Sequence, residues 1–491
     1  MNDRAKSELT VIAAALALGV LGDALLRSFP WGVNFALWAS ALVAAILLLV
    51  SRRHAALAEG GYWLLLPILL FPLAFLWHDS LALRALNLLA LLTALSLLML
   101  RAQGGRLRIS SLAEYALGSL IAGLNAAFGA FPLLFGNSEW KKSLGSESHR
   151  GAAVLRGAAF SLLPLLVFGA LLMGADAVFQ NLVHRVFHFD FTHLTVIAFV
   201  ALCTGGYLRG LLFGKELNPT GEKRRPSLSL GAIEMGVMLG LLDLLFLAFV
   251  VVQIRYFFGG SALVQVTTGL TYSEYARRGF FELVTVAALL LPFLLVIHWL
   301  LPREDVPAQR WFRALAGVQM VLLFVIMVSA FQRMRLYQAE YGLSEQRLYP
   351  TAFMGWLAVV FVWFALTVLR GRRERFAFGA MVAGLLLIAV LHALDPDALI
   401  ARTNLARAQA GRTFDARYAS SLSGDAVPQL VTGLSVLNPQ DRCTVATRLL
   451  ERWPPSENRD WRSWSYSRSR AYEAVRGNAL ALRAACSGPR H

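Results

Sequence analysis

Asp243 stands in the middle of an apolar run, Gly240-Leu241-Leu242-Asp243-Leu244-Leu245, where its short side chain cannot reach a surface. A carboxylate there is held either by a neighbouring helix or by a proton or cation that it binds, so it is the first candidate for intramembrane chemistry. Other polar residues fall near the ends of apolar runs: Asp23, Arg84 with Asn87, Gln253 with Arg255, and Glu282. Asp23 with Arg84, and Glu282 with Arg255, would pair across helices into a polar vestibule. The competing reading makes each an anchor whose charge reaches the headgroup layer.

Metal and nucleotide chemistry find little support. His184 and His188 stand four apart, with Asp190 and His193 nearby, but the Glu of a His-Glu-x-x-His motif is missing and Phe residues are interleaved as in an interfacial helix. Gly259-Gly260 lacks the pattern of a phosphate-binding loop. No cofactor and no metal site is therefore expected. Of the three cysteines, Cys203 lies in an apolar run, whereas Cys443 and Cys486 lie in the last hundred residues and are a candidate disulfide if that region is in an oxidising compartment.

The elements that must position these groups follow from composition. The chain has 491 residues, 57% of them hydrophobic and 15% charged, with a mean hydropathy of +0.57. This excludes disorder and points to an all-α, polytopic transmembrane helix bundle, because a bilayer core about 30 Å thick takes about 20 apolar residues per helix. Eleven spans are expected in a domain over 1–394: 9–26, 32–50, 61–77, 80–100, 151–174, 191–213, 229–254, 280–301, 313–331, 349–369 and 376–394. Arg4 and Lys6 precede the first run without a cleavage site after it, so it reads as an uncleaved anchor.

Segment 110–135 is ambiguous. Leu117, Leu120, Ile121, Leu124, Phe128 and Phe131 form one stripe opposite a face with Glu114, Asn125 and small residues, which suggests a helix lying in the interface. Charge supports this: with eleven spans, loop Lys and Arg divide 21 to 8 between the two sides, against 14 to 15 with twelve. The amino terminus is then cytoplasmic and the carboxy terminus extracytoplasmic. The net charge of +16 is accounted for by this loop distribution and by the tail, so no nucleic acid partner is expected. Segment 257–282 reads as an outer interfacial or re-entrant loop.

Residues 395–491 lack a spanning run and form an extracytoplasmic helical domain, with helices from about Ala398, after Ser423-Gly424-Asp425, from Asn438-Pro439, and over about 461–485. Trp453, Trp461 and Trp464 would be partner anchors or the domain's own core.

Three blocks resemble known sequences: Leu21-Gly22-Asp23-Ala24-Leu25-Leu26-Arg27-Ser28-Phe29-Pro30-Trp31-Gly32-Val33-Asn34, Leu242-Asp243-Leu244-Leu245-Phe246 through Val252-Gln253-Ile254-Arg255-Tyr256-Phe257-Phe258-Gly259-Gly260, and Thr271-Tyr272-Ser273-Glu274-Tyr275-Ala276-Arg277-Arg278-Gly279-Phe280-Phe281-Glu282-Leu283. They are similar to uncharacterised bacterial membrane proteins grouped as domain of unknown function 4173 and the related 4153, as is the Trp-rich tail Asp460-Trp461-Arg462-Ser463-Trp464-Ser465-Tyr466-Ser467-Arg468. The resemblance implies a multi-pass protein of the bacterial cell inner membrane and supplies no catalytic residues. Beyond the lipid bilayer itself, the chain reads as a transporter or channel component centred on Asp243, or as an envelope scaffold or sensor binding a protein partner through its C-terminal domain. An enzyme acting on lipid-linked substrates would have little beyond Asp243 and Glu282 to draw on.

Overall fold

A computed structural model describes residues 3–53, 61–105, 112–135, 191–214, 231–268, 272–302, 305–455 and 460–486. Among these there is no strand. The first part is a helix bundle: α1 (Asp3–Leu26), α2 (Val33–Arg53), α3 (Leu65–Leu73), α4 (Leu81–Ala102), α5 (Leu112–Phe128), α6 (Phe131–Phe135), α7 (Phe191–Phe213), α8 (Ala232–Thr268), α9 (Tyr272–Leu300), α10 (Val306–Tyr341), α11 (Glu345–Thr367) and α12 (Phe376–Leu394). All of these except α3, α5 and α6 are long and apolar enough to cross a membrane, nine among the described residues. The chain is thus a polytopic helical membrane bundle.

Two of the eleven expected spans are absent from those nine. Span 151–174 lies outside the described residues. Span 61–77 is shorter: α3 is flanked by 3-10 turns at Tyr62–Leu64 and Ala74–Leu76. A 3-10 turn rises about 2.0 Å per residue against 1.5 Å in an α-helix, so the segment stretches over roughly 25 Å. It runs end to end, with Trp63 against Phe378 at the start of α12 and Trp77 against Tyr466 beyond α12's far end. The expected loop at 257–282 is replaced by helix: α8 continues to Thr268 and α9 begins at Tyr272.

Helix α5 packs on α4 and α7 through its small residues. Gly118 faces Leu100, and beyond the helix end Gly129 meets Gly206 closely. Its large residues Leu117, Leu120, Leu124 and Phe128 are exposed. A lipid-facing helix buries whichever face lets another backbone come near, and that face is the small one. The same rule joins α1 to α7, where Gly19, Gly22 and Gly205 lie against Ile197, Val200 and Ala15.

Two apolar clusters fill the bundle. One joins α1 to α5 and α7 around Ile46, Leu98 and Leu208, and the other joins α8 to α12 around Phe280, Phe312, Phe361 and Phe364. The start of α12 belongs to both, with Phe376 in one cluster and Phe378 against the other.

The chain then turns at Asp395 into α13 (Pro396–Gln409), α14 (Ala416–Ser421), α15 (Val427–Thr432), α16 (Pro439–Arg452), α17 (Tyr466–Gly477) and α18 (Ala479–Ala484). Asp395, Asp415, Asn438 and Ser465 cap four of these by accepting a backbone N–H, and Pro396 and Pro439 take the first helical position. Ile400, Leu430, Val445, Leu449, Trp453, Val475 and Leu482 form a separate core, so Trp453 is interior whereas Trp461 and Trp464 are exposed. Cys443 and Cys486 are bridged, tying α16 to the end of α18.

A Cβ at Gly19 would lie 2.6 Å from the Ile197 carbonyl, whereas one at Gly123 would meet nothing within 4 Å. Gly19→Leu should therefore lower the Tm in detergent, at a cost of about 1–3 kcal/mol, while Gly123→Leu leaves it unchanged.

Candidate functional site

The polar residues with the most unusual surroundings meet where the C-terminal domain sits on the bundle. Three turns bring them there. The loop between α3 and α4 carries His78, Asp79 and Ser80. At the end of α12, Asp395 adopts a left-handed backbone (φ 50°), which Asp tolerates because its short side chain bonds locally, here to the amide of Ala398. In the tail, Ser423 caps a 3-10 turn, Gly424–Ala426, that presents Asp425.

Asp425 is the hub. Its Oδ1 lies 3.1 Å from Nδ1 of His78, and its Oδ2 accepts from the Asp79 amide at 2.9 Å and the Ser423 hydroxyl at 3.1 Å. The other ring nitrogen of His78, Nε2, lies 3.0 Å from the carbonyl of His392, and Oδ1 of Asp395 stands 3.9 Å from Nδ1. His392 in turn bonds Oδ1 of Asn87 at 2.8 Å. Asp397 accepts the Ser423 amide at 3.1 Å with one oxygen, while its other oxygen, buried, meets no donor among the described residues.

Beside this lies an ionic relay. Asp79 pairs with Arg84 of α4 and, at 3.4 Å, with Arg468 of α17. Arg468 also donates to the carbonyls of Pro30 and Trp31 at 3.2 and 3.1 Å. These carbonyls are held in place by Asn34, fully buried, which bonds the backbone of Leu25, Ser28, Gly32 and Phe35 and so fixes the turn between α1 and α2. Gly32 allows the tail to touch that turn, because any Cβ there would collide with the Trp464 carbonyl, which accepts from the Val33 amide at 3.0 Å.

Burial sets the electrostatics. Burial alone would lower the pKa of His78, but the hydrogen bond and charge of Asp425, with the charge of Asp395, outweigh it and raise the imidazole above its ordinary value. Burial likewise tends to raise Asp425, yet His78 and the Asp79 amide hold it below the usual range. Asp395 is pushed up to about 6, first by burial and then by the charge of Asp425. Burial also raises Asp79 and Asp397, against the opposing effects of Arg84 and of Ser423 respectively, and brings Arg468 down to about 10. Four carboxylates thus share a largely buried region with two guanidinium groups and two imidazoles, His78 and His392. His78, Asp395 and Asp425 offer one ligand atom each, all within 4.8 Å of one another, and are the group that could hold a metal ion.

The residues singled out from sequence scatter around this site. Arg84 is in it, but with Asp79 as partner in place of Asp23. Asp23 pairs with Arg27 at 3.7 Å and with His193 of α7 at 2.6 Å, so no Asp23–Arg84 bridge closes a vestibule. Glu282 is exposed, and the side chain of Arg255 lies outside the described residues, as do His184, His188 and Asp190. Asp243 is buried on the stripe of Met235, Leu239 and Phe246, and neither carboxylate oxygen has a hydrogen-bond partner among the described residues. Sequence reasoning did not single out His78, Asp79, His392, Asp395, Asp397, Asp425 or Arg468 as site residues. The available hint was Asp395-Pro396-Asp397, two acids just past the end of a span.

A family model described as a domain of unknown function, DUF4153, matches residues 65–433. Of the two related labels suggested by the sequence blocks, the match is to this one and not to 4173. The match runs from α3 past Asp395 and Asp425, so it contains His78, Asp79, Asp395, Asp397 and Asp425 but neither Arg468 nor the turn between α1 and α2. No curated protein sequence and no solved structure matches the chain.

Arg468→Met takes one of two guanidinium partners from Asp79, leaving Arg84, and strips the donor from the Pro30 and Trp31 carbonyls. It should destabilise docking of the tail by about 1–3 kcal/mol, seen as faster limited proteolysis after Leu394 and a lower Tm. Arg412→Ala, which loses only an exposed contact to Glu340, should leave both unchanged.

Proposed function

This chain belongs to the DUF4153 family, and from its buried junction we propose that it is an envelope sensor or scaffold of the bacterial cell inner membrane, whose C-terminal domain meets a partner outside the cytoplasm. The observation that carries this reading is the mode of docking. The tail grips the ends of α1 and α2 through Arg462 and Arg468, the α3–α4 turn through Asp425, and the α10–α11 turn through Asn404 and Arg407. A domain held so firmly at so many helix ends transmits its own displacement to the spans.

Several features support the orientation. The start of α1 and the tail lie at opposite ends of the bundle: Arg4 sits over Phe213, whereas Ala24 meets Arg462. The arginine-poor loops fall on the tail's side when the amino terminus is cytoplasmic. The Cys443–Cys486 bridge suits an oxidising compartment. Phe29, Trp77, Trp461 and Trp464 stand exposed where tail and bundle meet, at the level where aromatic rings settle beside headgroups. Phe29, Trp461, Trp464 and Arg468 also line a cleft of about 510 Å³, large enough for a partner's side chains.

A second reading, a transporter or channel component, draws on Asp243, whose buried oxygens have no hydrogen-bond partner among the described residues and suit a proton or cation that comes and goes. One experiment separates the two. In cells that need the protein, Asp425→Asn should abolish complementation and Asp243→Asn retain it, with both variants at normal abundance on immunoblots. The reverse pattern would favour transport and sink the sensor reading. For the orientation, a membrane-impermeant thiol reagent applied to intact cells should label Cys443 and Cys486 only after reduction, and labelling that requires permeabilised cells would overturn it.

A further inference from the structure

We propose that His78, Asp395 and Asp425 bind a divalent transition cation of the zinc or manganese kind, and that this ion locks the C-terminal domain to the bundle. The inference rests on the docked junction described above and deepens it. No metal was expected here from the sequence, in which the spacing nearest to a ligand set lies at 184–193.

The first argument is the tautomer of His78. Nε2 faces the His392 carbonyl, which can only accept, so the ring proton is on Nε2. Nδ1 then directs a lone pair at Oδ1 of Asp425, 3.1 Å away, and toward Oδ1 of Asp395 at 3.9 Å. Something positive belongs between these acceptors. A second ring proton would serve Asp425 and leave Asp395 beyond hydrogen-bond distance, whereas a cation serves all three. The three atoms lie within 4.8 Å of one another, close enough for one ion to touch each at roughly 2.0–2.5 Å.

The outer contacts have the form that metal sites require. A ligating histidine donates its other N–H to a backbone carbonyl, as His78 does, and a ligating carboxylate has its second oxygen hydrogen-bonded, as Asp425 has by the Asp79 amide and Ser423. One imidazole with two carboxylates suits zinc or manganese better than soft or all-oxygen-seeking ions.

Charge gives an independent observation. Asp397 is 2% exposed, shares Ser423 with Asp425, and keeps one oxygen without a donor among the described residues. With Asp79 matched to two arginines, Asp395 and Asp425 have His78 as their ion-pair partner among the described residues, while the neighbouring His392 is turned to Asn87 and Asp397 has no ion pair there. A divalent ion supplies the missing positive charge.

The test uses the full-length protein in detergent with its affinity tag removed. It is stripped with EDTA, incubated with zinc or manganese chloride, freed of excess by gel filtration, and assayed for metal by mass spectrometry. About one ion per chain is expected to be retained, and the ion should slow proteolysis after Leu394 severalfold. Asp395→Asn, at a position one-third exposed and so tolerant of change, should drop retention to background. Cobalt substitution should give visible absorption that the variant lacks. Wild-type protein with a protected tail but no retained metal, or undiminished retention by Asp395→Asn, would overturn the metal site and leave the docked junction standing. A tail cleaved freely in wild type, with or without metal, would sink both.

Discussion

The carboxylate of Asp79 is shared by two arginines from opposite ends of the sequence, Arg84 in the bundle and Arg468 in the tail, and the rest of the junction is arranged around that sharing. Placing ions away from water is costly unless each finds a partner and its remaining hydrogen bonds. Arg468 finds Asp79 as its ionic partner and bonds Pro30 and Trp31, which are positioned by Asn34, with its two terminal nitrogens, and Asp79 lends its amide to Asp425. Each group is held by a neighbour on a different helix. The domain therefore docks in one orientation, because any other leaves a buried charge alone.

Much of the bundle was legible in the sequence because lipid imposes a strong rule: apolar runs of sufficient length become helices. The cap at Asn438-Pro439 was legible too, since it bonds locally as expected. The junction was not, because its partners share no local spacing. His78 and Asp425 are 347 residues apart, and the turns that bring them together depend on the packing of two domains. Arg84 drew notice as a charge near a span, yet its partner is five residues away in the preceding loop, while Asp23 found His193 across a helix contact.

Helix α5 gives a different lesson. A stripe of Leu and Phe in a soluble protein marks the face turned inward. Here that stripe is outward and Gly118, Ala122 and the following Gly129 are inward. Lipid solvates large apolar side chains as well as protein does, so the inner face is chosen by how closely backbones can approach. The periodicity was readable; the direction it pointed needed the solvent to be named. Gly129 meets Gly206 in the second half of α7 and Gly118 meets Leu100 near the end of α4, so α5 packs in the part of the bundle remote from the tail.

The apolar interior is divided between α1 to α5 with α7 and α8 to α12, and the tail touches both divisions. Arg407 and Asn404 hold the turn from α10 to α11, while Arg468 and the Trp464 carbonyl hold the turn from α1 to α2. The domain is laid across them like a lintel over two doorposts. Rocking of one half against the other would have to stretch, tilt or lift that beam, so the protein's freedom to change shape is governed from its rim and not from its middle.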